Sequence, residues 1–234
     1  MPQELQVARV MTNVRALGSA LEKYSHLVAL QERNERLFYA VLTAHPDELK
    51  PIIYAPTVGQ ACVKYGLLFR RPRGLFISMA DRGRVYSLLK NWPEKDVKLL
   101  CLTDGERVLG LGDLGIQGMG IAASKVVCYT AFGGIDPSAA LPVTIDAGTD
   151  NEMLLNDPFY IGLRHKCAPS AAWLILVADA CDTRQARAGR ALRRADRRVH
   201  RRRQAVRARV HVEDDVARGL TRAQAVGQHG IVSV

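Results

Sequence analysis

Three polar residues stand among apolar neighbours, where each could carry chemistry. Tyr54 follows Pro51-Ile52-Ile53 and precedes Pro56. Arg107 belongs to a glycine-rich stretch. Lys125 interrupts an apolar run that includes Ile121, Val126 and Val127. An amine in a dry setting gives up its charge more readily, which brings it toward the range of a general base. Each residue also has a plain structural reading. Tyr54 can be a core phenol, Arg107 a surface ion-pair partner, and Lys125 an amine that snorkels along its own stem. The residue types alone leave both readings open.

Gly110, Gly112 and Gly115 spell G-x-G-x-x-G. Such a run after a strand can hold a pyrophosphate on backbone N–H groups at a helix start. Two features oppose that use. Asp113 puts a carboxylate inside the loop, where it repels a phosphate. No acidic residue ends a next strand about 20 residues later to meet a ribose, and Asp136 lies in a Gly-Ile-Asp-Pro turn. The alternative is a tight turn that lines a cleft.

The surrounding pattern supplies elements to position these residues. Residues 20–43 read as one long helix, with Leu21, Tyr24, Leu27, Val28, Leu37, Phe38 and Val41 at helical spacing. His45-Pro46 ends it. Thr57 and Gln60 have the spacing of a capping box for a second helix, closed near Gly66. Strands are expected over residues 75–79, 97–103 and 141–146, with helices over about 82–91 and 117–132 between them. The fold class is therefore α/β: a helical amino-terminal part, then a small parallel β-α-β-α-β sheet unit. The loop from Asp104 to Gly115 falls at the carboxyl end of a strand, the edge where open α/β sheets build their sites.

Composition narrows the partners. Of 33 Lys+Arg and 23 Asp+Glu, residues 1–166 hold 19 and 17, so the body is nearly neutral. Residues 167–234 hold 14 Arg, no Lys and 6 acids, and carry most of the net charge of +10. The body thus has no electrostatic reason to bind nucleic acid. No run approaches the roughly 18 apolar residues of a membrane span; the strongest, around Trp173 to Ala178, is too short. The first residues, MPQELQVARV, resemble neither a secretory signal nor a transit peptide. None of the five cysteines forms C-x-x-C, which leaves a zinc or redox site without support.

Many motifs in order carry a family resemblance. QERNERLFY (31–39), YAPTVGQAC (54–62), RRPRGLFIS (70–78), DRGRV (81–85), NWPE (91–94), TDGERVLGLGDLG (103–115), QGMGI (117–121), LPVTIDAGTDNE (141–152) and LLNDPFYIGLRHK (154–166) together resemble the malic enzyme family. The resemblance implies oxidative decarboxylation of malate to pyruvate and CO2 with NAD or NADP and a divalent cation, Mg2+ or Mn2+. It also implies a homo-oligomer and an intracellular location, in cytosol, mitochondrion or plastid. By this resemblance Tyr54 matches the family's general acid and Lys125 its general base. Arg107 matches an Arg that binds the malate carboxylate and lies near the nicotinamide. The chemistry suits these types: a base takes the C2 hydroxyl proton, an acid returns one to C3, and a guanidinium fork fixes a carboxylate.

Departures from the family pattern are as informative. The family's Y-T-P-T-V-G has Ala55 here, and its Pro-Val-Gly before the Lys is Ala122-Ala123-Ser124. The family's metal-ligand runs, Phe-Glu-Asp-Phe-like and Asn-Asp-Asp-Ile-Gln-Gly-Thr, do not occur, and the acidic cluster Glu213-Asp214-Asp215 reads as a solvated charge run. The nicotinamide-binding domain has no counterpart. The division expected is 1–70, the helical part of a malic enzyme amino-terminal domain; 71–166, its α/β part; and 167–234, an Arg/Ala-rich tail unlike the family. The tail, dominated by Ala, Arg and Val over residues 184–210, is expected to be disordered or loosely helical. A shifted reading frame after codon 166 is the favoured origin. The alternatives are an inactive fragment that pairs with full-length subunits, or an Arg-rich nucleic-acid-binding extension that lacks stacking aromatics.

Overall fold

The computed structural model describes residues 1–71, 73–108 and 110–167, and the backbone of 230–233. The amino-terminal part is a pack of helices: α1 (Gln3–Ala16), α2 (Ala20–Arg33), α3 (Glu35–Ala44), α4 (Pro46–Ile53), α5 (Thr57–Val63) and the short α6 (Tyr65–Leu68). Ser19 and Glu22 form a reciprocal capping box that starts α2. The single helix expected over residues 20–43 is two. Asn34 leaves helical geometry, with φ −153° and ψ 82°, and its side chain accepts the Leu37 N–H at 3.0 Å. A side-chain amide that satisfies an orphan donor makes Asn a helix starter, and that local gain outweighs an unbroken apolar stripe.

The first four helices each contribute one apolar face to a shared core. Val7, Val10, Met11 and Val14 of α1 meet Leu27 and Leu30 of α2, Leu37, Phe38, Val41 and Leu42 of α3, and Leu49, Ile52 and Ile53 of α4. Phe38 is wholly buried, and truncating such a ring to Ala costs about 3–5 kcal/mol.

The second part is a sheet: β1 (Leu75–Ser78), β2 (Leu99–Thr103), β3 (Ala140–Asp146) and β4 (Gly230–Ser233), in the order β1-β3-β2-β4. Both β1 and β2 run parallel to β3, with Leu75 and Leu102 each registered on Val143. Helices α7 (Val85–Asn91) and α8 (Met119–Gly133) are the crossovers, and α9 (Glu152–Asn156) follows β3. The expected β-α-β-α-β unit is thus present. All seven residues of β3 are buried, as a central parallel strand covered on both faces requires. Ile77, Leu141, Val143 and Ile145 pack with Val85 of α7, and Cys101 and Ala140 pack with Met119, Ala122 and Val126 of α8.

Most of the tail, residues 168–229, lies outside the described residues, and with it the expectation of disorder or loose helix. Gly230–Ser233 pairs antiparallel with the β2 edge. No described helix is long and apolar enough to cross a membrane.

Candidate active site

Tyr54 is held by the junction of two helices. Its N–H closes α4 on Lys50 O at 2.9 Å, and its carbonyl accepts Val58 N–H at 2.8 Å to open α5. Thr57 is not the cap expected from the sequence. It is the first residue of α5, and its hydroxyl donates to Pro51 O at 2.8 Å, stitching the two helices together. The half-buried Tyr54 ring packs against both the helical core and a second cluster: Val58, Cys62, Val108, Leu114 and Ile121. That cluster joins α5, the loop after β2 and the start of α8 at one point.

The loop that carries Arg107 is built by hydrogen bonds across its base. Thr103 Oγ1 accepts Gly105 N–H at 3.1 Å, and Gly105 O accepts Leu114 N–H at 2.9 Å. Gly105 has φ +69°, and a Cβ there would lie 1.8 Å from Gly115 O, so no larger residue fits. Val108 and Gly112 pair with each other across a tight turn at 2.9 Å. This turn plugs Val108 into the cluster beneath Tyr54 and leaves Arg107 exposed beside it in sequence. The neighbouring Glu106 carboxyl is pushed up by burial, then by Asp104, Asp113 and Asp150; Arg107 pulls it back down.

The glycine run is a turn and not a phosphate cradle. The Asp113 carboxylate accepts Gly115 N–H, Thr149 Oγ1–H and Asp150 N–H, each at 2.8 Å. Asn151 adds a bond from its side chain to Asp113 O at 2.9 Å. Of the run's backbone donors, Gly115 N–H is taken by this carboxylate and Leu111, Gly112 and Leu114 N–H by the Val108 and Gly105 carbonyls, and the loop is cross-linked to the segment after β3. That segment is fixed in turn by Asp146, which is buried and accepts Gly148 N–H at 3.1 Å and Leu163 N–H at 2.7 Å. Sequence reasoning saw Asp113 only as an obstacle. The signal of its role was Thr149-Asp150-Asn151, polar residues directly after an apolar strand.

Lys125 sits mid-way along α8, half-buried. Burial pushes the Cys101 thiol up, and the Lys125 charge beside it pulls it down. Burial likewise raises the Tyr54 phenol, followed by the neighbouring Cys128, Tyr129 and Cys101. Cys101 is therefore a common neighbour of Tyr54 and Lys125. A raised phenol stays protonated near neutral pH, so the proton is present, although burial makes it a weaker acid. Cys101 is buried, and nothing in its spacing marks it as a residue that acts on Tyr54 and is acted on by Lys125.

Among the described residues no group of three or more His, Cys, Asp or Glu could hold a metal ion. Glu213, Asp214 and Asp215 lie outside the described residues, as does Cys181.

Residues 31–192 match the family model of the malic enzyme N-terminal domain. The chain is 59% identical over 166 residues to NADP-dependent malic enzyme 1 of Arabidopsis thaliana, a match that covers 71% of this chain and 29% of that protein. It is 56% identical to the chloroplastic NADP-dependent malic enzyme of Oryza sativa subsp. japonica, over 71% of this chain and 26% of the relative. The NADP-dependent malic enzyme of Phaseolus vulgaris is 58% identical, with 71% and 28% covered. The chain thus spans under a third of the length of these relatives. With a family model matched over more than half its residues and three motif-bearing segments packed at one aromatic residue, the chain belongs to the malic enzyme family, through its amino-terminal domain.

Proposed function

We propose that this chain carries the malate-facing half of a malic enzyme site, with Lys125 as general base, Tyr54 as general acid and Arg107 as carboxylate anchor. The supporting observation is that Tyr54 and Lys125 share Cys101 as a neighbour although 71 positions separate them in sequence. Residues 1–70 and 71–166 are then two parts of one malic domain, with 167–234 a separate tail.

Arg107 presents a planar fork to one carboxylate of malate and sets the substrate's direction. Lys125 takes the proton from the C2 hydroxyl. Tyr54, protonated, returns a proton to C3 of the enol that remains after CO2 leaves. The relatives' names point to NADP as the dinucleotide, and the family resemblance to Mg2+ or Mn2+. The described residues fit neither group. Among the described residues no group of three or more His, Cys, Asp or Glu could hold a cation, and the donors of the glycine turn at Leu111, Gly112, Leu114 and Gly115 are already taken within the protein. The present residues therefore account for substrate anchoring and proton movement alone.

Equilibrium binding of malate tests the first reading. A saturable isotherm is expected, and Arg107→Gln is expected to weaken it by about 10-fold or more, the worth of a charge-assisted hydrogen-bond pair. Absence of saturable malate binding by the folded chain would overturn it.

A further inference from the structure

The loop that carries Arg107 folds back on itself as a short hairpin. Val108 N–H donates to Gly112 O and Gly112 N–H to Val108 O, each at 2.9 Å. Next to such an antiparallel hydrogen-bonded pair comes a non-hydrogen-bonded pair, with Cα atoms about 4.5 Å apart and side chains on one face. The residues in that place are Arg107 and Asp113. The guanidinium assigned to malate thus stands across the hairpin from the carboxylate that ties the loop down.

Asp113 holds in two directions. Its Oδ1 accepts Gly115 N–H, and its Oδ2 accepts Thr149 Oγ1–H and Asp150 N–H, each at 2.8 Å. Its carbonyl accepts Asn151 Nδ2–H at 2.9 Å. Three of these bonds reach a segment 36 to 38 positions away. That segment continues β3, whose residues are all buried. Thr149 is buried as well, and its N–H donates to His165 O at 3.1 Å. Arg107, by contrast, is exposed. An exposed loop is soft by itself, and a fork recognises a carboxylate only when it is held at hydrogen-bond length. Directional bonds to a buried segment, made by the residue opposite the fork, supply that hold.

We infer that Asp113 is a positioning residue: by fastening its side of the hairpin to Thr149, Asp150 and Asn151, it sets where the Arg107 guanidinium stands at the end of the sheet. The inference rests on Arg107 as the carboxylate anchor and deepens that reading. Asp113 acts through Arg107 alone, so its loss costs malate binding no more than the loss of Arg107 does.

The test is a double-variant cycle on malate binding by the full chain, read by calorimetric titration beside a thermal melt of each variant. Asp113→Ala is expected to weaken binding by about 3- to 10-fold, bounded by the roughly 10-fold of Arg107→Gln. In the Arg107→Gln background it is expected to change the affinity no further. Asp113→Asn keeps an acceptor oxygen and should recover part of the affinity. Thr149→Val guards against an Asp113 variant that fails to fold. It removes one donor to Asp113 and the acceptor of Asn151 N–H. It should weaken binding by about threefold, the size of one net hydrogen bond, and only while Arg107 is present. A carboxylate that served stability alone would lower the melting temperature and leave the affinity of the folded chain unchanged. That result overturns the inference, and so does an Asp113→Ala effect of equal size with and without Arg107. A parent chain that binds malate while these variants match it sinks the positioning role only; a parent chain that does not bind malate sinks the functional reading and the inference together.

Discussion

The Lys125 charge on α8 acts on the Cys101 thiol of β2, and the same thiol acts on the Tyr54 phenol at the α4–α5 junction. Replacing Cys101 by Ser keeps the size and adds a hydroxyl that asks for a partner in a nearly dry place. Cys101→Ser is expected to destabilise the fold by about 1–3 kcal/mol, read by chemical denaturation, with Cys101→Ala closer to the parent. Equal stability of all three would show that the thiol is not enclosed as described.

The Asp113 network gives a larger effect. Its carboxylate accepts three hydrogen bonds that join the glycine turn to Thr149 and Asp150. Asp113→Ala leaves those donors without a partner, and a loss of about 2–4 kcal/mol is expected from equilibrium unfolding. Asp113→Asn keeps one acceptor oxygen and should lose less.

Gly105 is a steric test of the Arg107 loop. Gly105→Ala would force a Cβ into Gly115 O at a positive φ. A cost of at least about 2 kcal/mol is expected, together with faster amide exchange over residues 104–115. Parent-like exchange there would contradict the loop closure described.

Much of this architecture was legible in the sequence, for identifiable reasons. The strands of the β-α-β-α-β unit are compact apolar runs bounded by Gly and Pro, so their existence and order could be read directly. Tyr54, Arg107 and Lys125 were named through motifs, since no periodicity marks a phenol as an acid. The break at Asn34 was missed because apolar spacing continues across it, and only the side-chain cap reveals the stop. The Thr57 box failed because the Pro51 carbonyl, brought close by the fold, competes for the hydroxyl. The Asp113 bridge is a contact between distant segments, which spacing along one segment cannot show.

The buried phenols set the alkaline limit. Burial raises Tyr24, Tyr39 and Tyr160 to about 12, above the roughly 10 of an unfolded tyrosine. Between those values the unfolded chain has lost protons that the folded chain still binds, so stability falls as pH rises. The contribution is full below about pH 10 and is lost toward pH 12. Thermal melts across this range should show the decline, and Tyr39→Phe should make it shallower.

At the acid end, hydrogen bonds from Ser19 hold the Glu22 carboxyl below the ordinary glutamate range. Its support for the start of α2 is present above about pH 4.3 and fades as pH falls through the lowered value. Glu22→Gln should flatten the acid side of the melting profile, and an unchanged slope would count against the capping box.

The central claim is that the Tyr54 phenol and the Lys125 amine face one small dicarboxylate. The most direct measurement is a malate titration of the chain carrying ¹³C at the Tyr ζ and Lys ε carbons, followed by NMR. The account predicts that the Tyr54 and Lys125 signals move together and give a single dissociation constant, and that Arg107→Gln weakens both alike. Movement of one signal without the other, or two unrelated constants, would contradict it.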